Sequence, residues 1–232
     1  MDKGIKFAAI IPNRGAERKE FLAWQKHRAG EMGYDKVYVI DYEPESDAVD
    51  IYQRLELGVV LASRDEIGYC SVIESDDYYS LRYLETIKEK IKPRVDLFGI
   101  NQTMYYHLFS TGWRRMSHPG RSSLFCTTFK TEAFETLPPV IGDPYIDLAW
   151  WAYALRNGKL LSSQLINDDL AVGIKHGTIF GRVGGNGHIL NYSHFDLGLK
   201  MLRGLLDNEA FDFYTGLKNR YQDMWVKGQK VI

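Results

Sequence analysis

Three carboxylates crowd the middle of one short stretch. Residues 69–80 read Tyr-Cys-Ser-Val-Ile-Glu-Ser-Asp-Asp-Tyr-Tyr-Ser, with Glu74, Asp76 and Asp77 at the centre. Acids packed this way repel unless a cation sits between them. Hard oxygen donors suit Mg²⁺ or Mn²⁺, and such ions typically bridge a substrate's phosphates. Tyr69, Cys70, Val72 and Ile73 favour buried extended backbone, and Ser80 suits the cap of a helix over residues 81–91. The acids therefore fall where a strand gives way to a loop and helix, the edge at which open α/β sheets bind ligands. Glu74 and Asp76 lie two apart and can point to one side of the chain. The competing reading is a turn followed by a helix cap, a role acids also fill.

The elements that must position these acids follow from the apolar pattern. Residues 6–11 form an unbroken apolar run that fits a strand covered on both faces. Pro12-Asn13-Arg14-Gly15 stops it, and residues 17–32 read as a helix. Strands are predicted over 36–41 and 58–62, with a helix over 46–57 between them. This alternation of strands and helices predicts an α/β fold with a mostly parallel central sheet flanked by helices. Beyond the acids, a strand is expected over 95–100 and extended pieces over 103–109 and 122–130. Between those pieces lies a polar loop, 112–121, with Trp113, Arg114, Arg115, His118 and Arg121. A helix over 144–157 ends at Gly158, and residues 159–163 suit an edge strand. A glycine-rich loop spans 177–187, and amphipathic helices over 194–206 and 209–225 finish the chain. No linker or repeat divides residues 1–232, so one domain is expected.

Composition narrows the classes. The chain has 232 residues, 45% of them hydrophobic and 25% charged, with a net charge of −1. That balance is ordinary for a globular protein and gives no general pull toward nucleic acid or anionic membrane. No apolar run approaches a membrane span, and the start lacks a signal-peptide core. Cys70 and Cys126 each lie in an apolar run, which suits buried thiols in a reducing compartment. Cytoplasmic localisation is expected. The 15 Tyr and 5 Trp suit either sugar stacking or a core.

The order of these pieces over about residues 5–176 resembles the family 2-like glycosyltransferases of the GT-A fold. In that family the first strand ends in a Pro-Thr-Tyr-Asn-Arg-like turn, and here Ile10-Ile11-Pro12-Asn13-Arg14 is similar but shorter. The second strand ends in acids, here Ile40-Asp41-Tyr42-Glu43. Glu74-Ser75-Asp76-Asp77 aligns with the Asp-x-Asp metal motif, with Glu in the first place. Asp147, eleven residues before Gly158, matches one acid of a pair that opens a later helix; Ile146 stands where the other would be. Gly173-Ile174-Lys175-His176-Gly177 is similar to a segment carrying a metal- or phosphate-binding His.

The resemblance implies a GT-A catalytic domain. Residues 1–101 would form its nucleotide-binding half, 102–193 its acceptor half and a mobile loop, and 194–232 its C-terminal helices. It implies inverting, metal-dependent transfer of a sugar from a nucleoside-diphosphate donor to a hydroxyl of a carbohydrate or other acceptor. Mn²⁺ or Mg²⁺ would be held by Asp76, Asp77 and His176. Pro12, Arg14, Asp41, Glu74 and Asp76 would line the donor. Asp147 would be the general base, with Asp143 as its substitute, and Arg182, His188 and His194 would lie on or near the closing loop. Each has a plainer reading as turn former, helix-end acid or surface cation. Two rivals are a sugar-binding protein of the same fold without turnover and a sugar-1-phosphate nucleotidyltransferase. The latter's Gly-rich loop is not matched by residues 13–18. The arginines from Arg114 to Arg121 would serve a nucleic-acid acceptor. Aromatic residues of the last helices could pack on a second copy as well as on the sheet.

Overall fold

A computed structural model describes residues 4–13, 15–43, 49–92, 94–157, 162–165, 169–177, 179–180, 192 and 194–231. The first apolar run forms β1 (Phe7–Pro12), buried throughout. Phe7, Ala9 and Ile11 face one core, and Ala8 and Ile10 face another. A strand covered on both faces belongs inside a sheet. β1 pairs in parallel with β2 (Lys36–Ile40) and with β3 (Tyr69–Val72). The sheet continues through β8 (Thr127–Lys130), β5 (Leu97–Ile100) and β9 (Ser162–Leu165), in the order β2-β1-β3-β8-β5-β9. Only β8 runs against its neighbours.

Helices cover both faces. α1 (Lys19–Glu31) and α3 (Tyr83–Lys90) place Ala29, Tyr83, Leu84 and Ile87 in the first core. α2 (Ile51–Arg64) and α4 (Ile146–Asn157) fill the second with Tyr52, Leu55, Val59, Ala62, Trp150 and Trp151.

Residues 58–62, expected as a strand, are the second half of α2. Gly and two adjacent Val suggest a strand locally, but Leu55, Val59 and Ala62 recur at helical spacing toward the sheet. A Cβ at Gly58 would sit 2.6 Å from Ile10 Cγ2, so the glycine is what lets the helix lie close on β1.

A second sheet, absent from the sequence reading, has the order β11-β7-β6-β10-β4. Its strands are β4 (Tyr78–Tyr79), β6 (Gln102–His107), β7 (Gly112–Ser117), β10 (Ala171–Lys175) and β11 (His194–Phe195). The first half of the expected 112–121 loop is therefore strand β7, which pairs antiparallel with β6. Residues 194–206, expected as one helix, begin instead as β11. Trp113 stacks on His194 at 4.4 Å and draws that segment onto β7. The helix proper is α5 (Lys200–Leu205), where Asp196 Oδ2 accepts from the Leu202 amide.

α6 (Asn208–Val226) follows and, with α5, buries Leu202, Ala210, Phe211, Tyr214 and Leu217 against Tyr106, Val172 and Ile174. Asp207 caps α6 by accepting from the Ala210 amide, and it also pairs with the buried Arg28 of α1. No helix among the described residues is long and apolar enough to cross a membrane.

Candidate active site

The acidic loop bridges the two sheets. It leaves β3 at Ile73, whose amide donates to Ile10 O at 2.9 Å, and enters the second sheet at Tyr78. The Tyr79 side chain pins it. Its hydroxyl accepts from the Glu74 amide at 3.0 Å and donates to Phe125 O at 2.9 Å.

Strand register then brings in remote groups. β4 and β10 run antiparallel, with Tyr79 opposite Ala171 and Tyr78 opposite Val172. Each further step along β10 steps back toward Asp76. Accordingly the Ile174 amide donates to Asp77 Oδ1 at 2.8 Å, and Lys175 Nζ lies 3.4 Å from the same oxygen. His176 Nε2 donates to Asp76 Oδ2 at 2.9 Å. Phe21 stacks on the His176 ring and Phe180 meets its edge. From α6, the Tyr214 hydroxyl donates to Asp76 O at 3.2 Å. Arg18 Nη1 stands 3.6 Å from Asp76 Oδ2 while Nε donates to Phe180 O.

Glu74, Asp76 and Asp77 each offer a carboxylate oxygen, and the three oxygens lie within 4.8 Å of one another. Asp76 Oδ1 and Asp77 Oδ2 are buried with no hydrogen-bond partner among the described residues. A buried carboxylate oxygen without a donor is costly. The donor set is all hard oxygen, so a hard divalent ion fits it. His176 reaches this set through Asp76, and its Nδ1 is left without a partner among the described residues.

The electrostatics are uneven across the loop. Burial opposes charge on Asp76, but Arg18, His176 and Lys175 outweigh it and hold the carboxyl below its usual range. Burial pushes Asp77 and Glu74 upward against the pull of Lys175. Burial also works against the Lys175 ammonium, yet Asp77, Asp76 and Glu74 together raise its pKa. His176 is pushed down by burial, so its imidazole is neutral near pH 7.

Asp147 opens α4, is buried, and lies near enough to Glu74 for their charges to interact. Arg121 Nη1 bonds its Oδ2 at 2.7 Å. Burial raises the Asp147 pKa, and Arg121 partly opposes the rise. Asp143 is exposed and accepts from the Tyr145 amide, as a turn former does.

At the ends of β1 and β2, Pro12 is buried and Asp41 is exposed, with Asn13 Nδ2 donating to Asp41 Oδ1 at 3.0 Å. Beneath them the buried Arg54 donates to the carbonyls of Asn13, Ile40 and Tyr42 and pairs with Asp50. Arg14, Gly158, Arg182 and His188, with most of the expected glycine-rich loop, fall outside the described residues. Arg18, Lys175, Arg54 and Tyr214 are given no role at the site by the sequence. A basic or aromatic residue inside a helix or strand has no local mark, and only the tertiary pairing brings these four to the sheet edge.

Comparison with known proteins gives a fold. No protein-family profile matches the chain, and no curated protein matches it. Among solved structures, residues 1–349 of Staphylococcus aureus TarS superpose with a TM-score of 0.51 at 13% identity, covering 72% of this chain and 60% of that one. The catalytic domain of Drosophila β1,4-galactosyltransferase 7, in complex with xylobiose, gives a TM-score of 0.48 at 14% identity over 88% of this chain and 81% of that one. A glycosyltransferase involved in glycosylation of the major capsid of PBCV-1 gives 0.42 at 11% identity, over 70% and 81%. The TarS match, with the helix-flanked and mostly parallel sheet, defines a GT-A-like fold.

Proposed function

We propose that this protein is a glycosyltransferase that moves a sugar from a nucleoside-diphosphate donor to an acceptor hydroxyl, with inversion and with a divalent cation. The observation that carries the reading is the convergence of Glu74, Asp76 and Asp77 at the end of β3 in a GT-A-like sheet, with two of their oxygens unpartnered. Mn²⁺ or Mg²⁺ held there would neutralise charge on the leaving diphosphate. Asp76 and Asp77 would hold the ion, and Glu74 would meet the ion or the ribose. His176, called a ligand in the sequence reading, acts here by orienting the Asp76 carboxylate. Asp41, steadied by Asn13, and Pro12 form the wall for base and ribose. Arg18, whose guanidinium reaches Asp76, takes the diphosphate contact that the sequence reading gave to Arg14.

Asp147 receives the proton of the acceptor hydroxyl. Its burial favours uptake of that proton, and Arg121 keeps the carboxylate ionised beforehand. The same ion pair favours a second reading, a sugar-binding protein without turnover, because it occupies the candidate base.

The deciding experiment follows nucleotide release from UDP-, GDP-, CMP- and TDP-sugars with Mn²⁺, Mg²⁺ or chelator, beside Asp76→Asn. Metal-dependent release from one donor, lost in the variant, is the expected result. A donor that raises the melting temperature but is never cleaved, with or without acceptor sugars, would support the binding protein. Pyrophosphate release from a nucleoside triphosphate and a sugar 1-phosphate would replace both readings with a nucleotidyltransferase.

A further inference from the structure

The acidic loop has a cation of its own. Lys175 Nζ lies 3.4 Å from Asp77 Oδ1, and the side chain is 13% exposed. Its backbone is fixed by β6, with Lys175 opposite His107 and its carbonyl accepting from the Leu108 amide at 2.7 Å. The ammonium lies 5.5 Å from the Tyr105 ring and 6.0 Å from the Phe125 ring, faces that attract a cation. Nothing about this lysine is that of a surface cation swinging in water.

The charges around the loop show what the ammonium does. Among the described residues, Glu74, Asp76, Asp77 and Asp147 are the carboxylates around the loop, and Lys175, Arg18 and Arg121 are the cations. Four against three leaves a formal charge of one negative. A divalent ion would turn that to one positive, in a buried place where excess charge is costly. Without Lys175 the same ion would bring the cluster to neutrality. With Lys175 present, the missing negative charge has to come from elsewhere, and a diphosphate supplies it.

We infer that Lys175 sets the metal affinity of the acidic loop, keeping divalent metal weakly bound until a nucleoside diphosphate enters with it. This rests on reading the loop as a metal site. Metal and nucleotide then bind as a coupled pair, each raising the affinity of the other by the same factor.

Mn²⁺ is titrated into the wild type, Lys175→Met and Lys175→Arg, with and without UDP or GDP, and free Mn²⁺ is read by its electron paramagnetic resonance signal. Without nucleotide, Lys175→Met should bind Mn²⁺ at least about tenfold tighter than the wild type, the order expected for removing one near charge. Lys175→Arg, which keeps the charge, should stay within about threefold of the wild type. Nucleotide should tighten Mn²⁺ binding strongly in the wild type and much less in Lys175→Met. Equal or weaker Mn²⁺ binding by Lys175→Met, with the wild type still binding, overturns the inference and leaves the metal reading standing. No Mn²⁺ binding by any of the three, with or without nucleotide, overturns the metal reading and the inference with it. Loss of the buried ammonium also bears on folding, so melting is followed in parallel. Lys175→Met should melt below the wild type in chelator and regain the difference in Mn²⁺. If it stays unfolded at every Mn²⁺ concentration, the lysine is a structural cation that metal cannot replace, and the inference fails.

Discussion

In the role of general base proposed for Asp147, two demands meet. A general base needs a proton affinity high enough to take the acceptor proton, yet it has to start ionised. Burial supplies the first and Arg121 the second. Asp147→Asn should lower kcat by about 10²- to 10⁴-fold, while donor affinity, read by calorimetry, stays within about threefold. Arg121→Gln should act differently. Loss of the guanidinium lets the Asp147 pKa rise further, so the acidic limb of the kcat/KM profile should move to higher pH. An unmoved limb would remove Asp147 from the base role. Asp147 and the three acids of the loop were legible in the sequence because an acid after a strand, or at the first turn of a helix, is marked by its position. Lys175 is marked by nothing local. Its partner Asp77 lies 98 residues away, and only the β4–β10 register joins them.

At the level of elements, β1, β2 and β3 and the helices between them were read correctly in kind, with one exception that is physically informative. Residues 58–62 combine a glycine with two adjacent Val, and strand propensity won over the helical spacing of Leu55, Val59 and Ala62. Tertiary packing reversed that, because α2 lies so near β1 that a side chain at 58 would strike Ile10. Gly58→Val should therefore cost about 2 kcal/mol through overpacking, seen as a lower urea midpoint at unchanged slope. The second sheet escaped the sequence reading for a related reason. Two of its strands, β4 and β11, are two residues long, too short for an alternating pattern to register.

At the scale of the whole molecule, two buried histidines each make acid costly. His107 and His118 are buried, and burial pushes each down to about 4. His107 Nδ1 accepts from the Ser110 amide, and His118 Nε2 bonds Ser123 Oγ. A folded-state pKa below the unfolded one means the unfolded chain binds more protons between the two values. Stability is then fully present above about pH 6.5 and falls as pH drops toward about 4, by on the order of 3 kcal/mol for each histidine. Denaturant midpoints across that range should show the fall, and His118→Asn should remove about half of it.

The span of the site's contacts has a further consequence, for the order of assembly. Asp76 meets His176 across 100 residues of sequence and Tyr214 across 138. Contacts so distant close late, after the local helices and neighbouring strands have formed. In pulse-labelled refolding, the Ile174 amide should gain protection more slowly than the amides of α2. During synthesis, β1, β2 and β3 emerge and can pair while the carboxylates of the loop still face water. Lys175, His176 and Tyr214 are not yet there to hold them. A ribosome-bound chain thus has half of a sheet but an unfinished acidic loop, so under the function proposed above it would not hold a donor before α6 arrives to complete the site.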